Sequence, residues 1–192
     1  MINYPNKKKA FSPSSLTSAN AHRGMGLEKD LNESCLYYKE MDRALIYKKP
    51  TPIQVVKVDY PNRRHAKICE AYYKIPSTTD YNGLYRGKYV DFEAKETRSN
   101  TAFVLQNIYP HQISHLKKVQ ELGGIAFVII RFSLKNETYL LDAQHVITAF
   151  EKGGRKSIPY DHIKKSGYRI VEGYLPRLKF LDVVDRVYFK ED

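Results

Sequence analysis

Asp80, Asp91, Glu93 and Lys95 are the residues of this chain whose types and spacing could do chemistry together. The segment from Lys88 to Lys95 reads as a strand, in which side chains two apart share a face. Tyr89, Asp91, Glu93 and Lys95 then point one way, and Val90, Phe92 and Ala94 point the other way into a core. Asn82-Gly83 upstream is a turn signal that lets the chain reverse, so Asp80 comes to lie across from Glu93 on a neighbouring strand. Two carboxylates at one point repel unless a cation sits between them, and their hard oxygens suit Mg²⁺ or Mn²⁺. A lysine two residues beyond Glu93 reaches the same water or phosphate. Together these groups are a minimal set for metal-assisted phosphodiester hydrolysis. The same letters also fit an exposed hairpin in which Lys95 does no more than pair with Glu93.

The composition favours a polyanionic partner. Lysine and arginine number 32 against 21 acidic residues, for a net charge of +11 over 192 residues, which points to nucleic acid first and an anionic membrane surface second. Charge of this kind gives affinity for phosphates without specificity. The length fits one domain. Cys35 and Cys69 sit in unlike contexts with no zinc-ligand spacing, as expected of a reduced, cytoplasmic protein. The longest apolar run, Ile125 to Ile130, is far too short to cross a bilayer, and no membrane partner is expected.

The surrounding words are distinctive. Pro76-Ser77-Thr78-Thr79-Asp80-Tyr81-Asn82-Gly83, followed by Asp91-Phe92-Glu93-Ala94-Lys95-Glu96-Thr97, resembles the RecU family of Holliday-junction resolvases. The resemblance runs from about Arg23 to the carboxyl end. It implies an α/β, restriction-endonuclease-like (PD-(D/E)xK) fold, a mixed central sheet flanked by helices with a protruding basic and aromatic stalk. It implies Mg²⁺, for which Mn²⁺ substitutes, held by Thr78, Asp80, Glu93 and Gln112, with Asp80, Glu93 and Lys95 as the catalytic set. It further implies a homodimer that nicks a four-way junction or other branched DNA symmetrically, with a recombinase as a further partner. Asp91 is expected to support Lys95 or nearby backbone. Two rival readings remain open at this stage: another endonuclease of the same superfamily, or an accessory protein that binds recombination intermediates without cutting them.

The remaining elements must position these groups. Residues 1–22 read as a basic, mobile arm and residues 23–192 as the nuclease domain. A first helix opens at Arg23 to Glu28 and runs to about Lys39, with Leu27, Leu31 and Cys35 in helical step. Glu28 sits where a carboxylate suits the helix dipole and, by resemblance, where an acid is offered to the metal. Ala44–Tyr47 and Ile53–Asp59 read as strands, and Lys48 and Lys49 between them as solvated charges. Residues 60–74 interleave Arg63, Arg64 and Lys67 with Tyr72 and Tyr73. They form either a stalk that grips phosphates and stacks on bases, as the resemblance implies, or a hairpin packed on the sheet. Glu96 to Asn100 reads as an exit loop and Thr101–Leu105 as a short strand. Pro110 opens a helix carrying His111 and Gln112 at its start and Ile113, Leu116, Val119 and Leu122 as its apolar stripe, ended by Gly123-Gly124. A buried strand (Gly124–Phe132), a second strand (Glu137–Asp142) and helices at 143–151, 159–165 and 178–188 complete the scaffold. Lys152, Arg155, Lys156, Lys164 and Lys165 are further candidate phosphate contacts.

Overall fold

The computed structural model describes residues 26–74, 78–153 and 156–189. The expected arm at 1–22, the helix opening at Arg23 and the candidate contact Arg155 lie outside the described residues. The structure is built around an antiparallel hairpin, β4 (Tyr81–Tyr85) and β5 (Lys88–Thr97). The reversal is made by Arg86 and Gly87, with φ of 46° and 75°, the pair of positive values that a two-residue hairpin turn needs. Asn82-Gly83 is therefore not the turn. Both residues lie inside β4, where Asn82 pairs with Asp91 on one side and with Tyr47 on the other. Gly83 is there for space, since a Cβ at that position would meet the Leu45 carbonyl oxygen at 1.9 Å.

β1 (Leu45–Lys48) pairs with the outer side of β4, and β7 (Ile125–Phe132) runs parallel to β5 on the other side. β8 (Glu137–Asp142) and β10 (Tyr168–Arg169) extend a six-stranded sheet in the order β1-β4-β5-β7-β8-β10. A parallel neighbour demands a crossover. It contains β6 (Ala102–Val104), a 3₁₀ turn (Leu105–Asn107) and α2 (Pro110–Glu121). β6 pairs with β9 (Ser157–Pro159) in a separate small sheet.

Alternation along β5 puts Val90 and Phe92 on one face, against α1 (Leu27–Glu40) and α5 (Phe180–Tyr188). Phe92 stacks between Tyr81 and Phe127 at centroid distances of 4.9 and 4.8 Å. On the opposite face Ala126, Val128 and Ile130 of β7 pack against α2, α3 (Ala143–Glu151) and α4 (Tyr160–Ser166). The domain is thus a mixed sheet between two helical layers. Asp91, Glu93 and Lys95 register with Ala126, Val128 and Ile130, so the polar side of β5 lies beneath a helix layer. In α2 the stripe holds for Ile113, Leu116 and Val119, while Leu122, just past the helix end, is 77% exposed. Among the described residues no helix is long and apolar enough to cross a membrane.

The excursion expected at 60–74 is wider. β2 (Ile53–Asp59) pairs with β3 (Lys67–Tyr73) in a two-stranded ribbon and not with the large sheet. Every residue of both strands is exposed, so Val55, Val56, Val58 and Ile68 have no core to enter.

Gly83→Ala is expected to lower the free energy of unfolding by about 2–3 kcal/mol in urea denaturation, because the added methyl must push β1 away. An unchanged unfolding midpoint would contradict the close approach of β1 and β4.

Candidate active site

Asp80 and Glu93 meet because β4 and β5 are in register. Tyr81 pairs with Phe92, so the residue before β4 falls opposite Glu93. Each acid is then fixed by the other's strand. The Asp80 backbone N–H donates to Glu93 Oε2 at 3.1 Å, and the Ala94 N–H donates to Asp80 Oδ2 at 3.1 Å. One oxygen of each carboxylate is thereby committed, leaving Asp80 Oδ1 and Glu93 Oε1.

Glu93 is completely buried. The Lys95 ammonium lies 2.5 Å from Glu93 Oε1, yet that oxygen has no hydrogen-bond partner of acceptable geometry among the described residues. The contact is a charge pairing with a single ammonium. Burial first, then the neighbouring charge of Asp80, push the Glu93 carboxyl up to about 7 from its ordinary 4.5, against the opposing pull of Lys95. Among the described residues no three His, Cys, Asp or Glu side chains converge, so the acidic share of a cation site here is two carboxylates. Two hard anionic oxygens, one of them buried and unsatisfied, fit a divalent ion of the Mg²⁺ type, which takes one or two carboxylates and keeps other positions for water and phosphate.

Beneath this pair lies a second buried carboxylate. Asp91 is also completely buried, but it is saturated with donors. Lys49 Nζ approaches Oδ2 at 2.7 Å, His115 Nε2 at 3.0 Å and the Tyr89 hydroxyl at 2.8 Å, while the Thr79 hydroxyl donates to Oδ1. A carboxylate can only accept, so the His115 Nε2 carries a proton. Burial alone would raise the Asp91 carboxyl, but the hydrogen bonds from Lys49, Thr79 and His115 outweigh it and hold the group below the ordinary carboxylate range. The partners of Asp91 are therefore side chains, where the sequence led us to expect support of Lys95 or of nearby backbone. Its partners come from the β1–β2 connection, the segment before β4, β5 itself and the second turn of α2.

Lys49 was the less visible residue. Its side chain is only 14% exposed, not a solvated charge, and the neighbour Lys48 pairs with Glu28. Glu28 is thus engaged on the surface of α1, while the first N–H of that helix is capped by Glu96 Oε2 at 3.0 Å, from a residue that belongs to β5 and not to an exit loop. Thr78 accepts from Lys49 at 3.0 Å. Gln112 is buried, and its Oε1 accepts from the Tyr109 N–H at 3.0 Å, so this side chain serves the start of its own helix. His111 is exposed and its ring stacks on Tyr109 at 5.6 Å.

On the ribbon, Arg63, Arg64, Lys67, Tyr72 and Tyr73 are all exposed, with Tyr73 at 84%. The Tyr72 hydroxyl donates to Glu70 at 2.8 Å. Lys152, Lys156, Lys164 and Lys165 are likewise exposed. The missed members of the buried cluster, Lys49 and His115, carry no local sequence signal.

Comparison with known proteins places the chain in a family. The profile of the family described as Recombination protein U matches residues 22–186. Proteins named Holliday junction resolvase RecU are similar over most of their length. That of Geobacillus kaustophilus is 58% identical over 172 residues, covering 88% of this chain and 86% of the relative. That of Bacillus cytotoxicus is 52% identical over 198 residues, and that of Bacillus cereus 51% over 197 residues, each covering 98% of both chains.

The buried Glu93 carboxyl generates a pH dependence in metal-free protein. Its folded value of about 7 exceeds the ordinary 4.5, so the folded state holds a proton that the unfolded chain has released between those values. Stability is therefore fully present below about pH 4.5 and is lost as pH rises through about 7. Relative to Glu93→Gln, wild type in a chelator is expected to lose about 3 kcal/mol of unfolding free energy across that window. Parallel urea-stability profiles for the two proteins would contradict the burial of an ionisable, unsatisfied carboxyl.

Proposed function

The chain belongs to the RecU family, and from that membership and the facing carboxylates of Asp80 and Glu93 we propose a structure-selective endodeoxyribonuclease that resolves Holliday junctions. The observation that carries the reading is the reciprocal fixing of the two acids across β4 and β5, which leaves one oxygen of each for a cation. The ion is Mg²⁺, with Mn²⁺ able to replace it. By family resemblance Thr78 and Gln112 complete its surroundings. Thr78 lies two residues before Asp80, and Gln112 lies one turn before His115 on the same side of α2. When bound, the ion supplies an acidified water and neutralises phosphate charge.

The chain's own residues do the rest. Asp80 and Glu93 hold their positions without reorganisation, since both are fixed by backbone donors. Lys95, 24% exposed at the mouth of the site, orients the attacking water and offsets charge on the phosphoryl oxygens. The ribbon of β2 and β3 is the stalk. Its exposed arginines and lysine take phosphates, and Tyr72 and Tyr73 present ring faces to unstacked bases at the branch point. A homodimer supplies two equal sites to a twofold substrate. Cys35 and Cys69 are both free, in keeping with work on DNA in the reducing cytoplasm.

Two experiments test this reading. Asp80→Ala is expected to bind a synthetic four-way junction with near wild-type affinity and to lose Mg²⁺-dependent cleavage by at least about 10³-fold. Cleavage at the wild-type rate would place the active site away from Asp80 and Glu93. Tyr72→Ala with Tyr73→Ala is expected to weaken junction binding by about 10-fold or more, at about 1–3 kcal/mol per stacked base, while duplex affinity changes little. Equal losses on both substrates in a gel-shift comparison would remove the branch-point role of the ribbon.

A further inference from the structure

The cleavage chemistry proposed above needs the segment before β4 to hold one backbone course, yet that segment belongs to no strand or helix. The Thr78–Asp80 stretch is gripped by Lys49. Its backbone N–H donates to the Asp80 carbonyl at 2.7 Å, and its ammonium donates to Thr78 Oγ1 at 3.0 Å and Thr79 Oγ1 at 2.6 Å. The same ammonium donates to Asp91 Oδ2 at 2.7 Å, which is anchored beneath α2 by His115. An ammonium has three protons, and three acceptors are present. Lys49 therefore ties three successive residues of the catalytic segment to the buried floor of the site.

From this geometry we infer that Lys49 is a positioning residue for phosphodiester cleavage, acting through Thr78, Thr79 and Asp80. It touches neither substrate nor cation. It holds Asp80 at the height where the carboxylate meets Glu93, and it uses Asp91 as a fixed counter-charge. The inference rests on the nuclease reading, because it assigns Lys49 a part in that reaction. A lysine held only to satisfy Asp91 would need a single contact. Here the side chain and backbone of one residue engage every residue from 78 to 80. Groups that orient active-site ligands from one layer back typically change activity by about 10–100-fold when removed, and a displacement of about 1 Å costs on the order of 100-fold.

The test uses Lys49→Met, Thr79→Val, their double variant, Asp80→Ala, and Phe103→Leu as a control in the core packed with α2. Three quantities are measured on a synthetic four-way junction: single-turnover cleavage at saturating Mg²⁺, junction affinity in Ca²⁺, and the thermal midpoint. Lys49→Met is expected to cleave about 10–100-fold more slowly with junction affinity within about twofold. Thr79→Val should show a smaller loss in the same direction. The double variant should be no slower than about the worse single, because both changes break one network. Phe103→Leu should lower the thermal midpoint with no loss of rate, which separates positioning from stability. A Lys49→Met rate within about twofold of wild type would overturn the inference. So would a fall in junction affinity matching the fall in rate, which would make Lys49 a phosphate contact. If Lys49→Met does not fold, Thr79→Val decides alone, and a wild-type rate there overturns the inference equally. Cleavage surviving in Asp80→Ala would instead overturn the placement of the active site at Asp80 and Glu93.

Discussion

Two carboxylates facing each other at the end of a hairpin are the constraint on which the rest of this structure turns. Side by side in a low-dielectric site, both cannot ionise freely. The fold does not relieve that conflict with a full complement of donors. It fixes one oxygen of each acid with a backbone N–H of the opposing strand and, among the described residues, leaves Glu93 Oε1 with only the Lys95 ammonium beside it. The cost is met by the sheet around it. Phe92 is clamped between Tyr81 and Phe127, and β5 lies between two strands of the large sheet, so the hairpin cannot spread to ease the repulsion.

The contrast with Asp91 shows how environment assigns roles to chemically similar groups. Both acids are completely buried on one face of one strand, two residues apart. Asp91 is surrounded by four donors and stays ionised as a structural anion. Glu93 faces another carboxylate and a single ammonium, and its proton is held to about 7. The saturated acid acts as a floor, and the one facing Asp80 is where the proposed cation would be stabilised. Burial of the Lys49–Asp91 pair is tolerable because hydroxyls and an imidazole complete the hydrogen bonding, and the same bonds reach the segment that carries Asp80.

Much of this was legible in the sequence where the signal is local. The two-residue period of β5 put Asp91, Glu93 and Lys95 on one face, and the stripe of Ile113, Leu116 and Val119 defined the helix that covers them. The opposition of Asp80 and Glu93 was anticipated, though for the wrong local reason. Asn82-Gly83 has turn chemistry, but the glycine is spent on the close approach of Leu45, and the turn falls at Arg86-Gly87. Ile53–Asp59 reads correctly as a strand, yet nothing in its alternation says that its partner is β3 and not the sheet. Lys49 and His115 were invisible for a related reason. Their partner Asp91 lies 42 and 24 residues away, and a lysine after a strand or a histidine on a helix carries no mark of such a partner.

The central claim is that Asp80 and Glu93 together hold a divalent ion. Anomalous diffraction from crystals soaked in Mn²⁺ tests it most directly. The account predicts a manganese peak within about 2.5 Å of one oxygen from each carboxylate. A well-ordered site with no peak between them, or with manganese bound elsewhere in the chain alone, would contradict it.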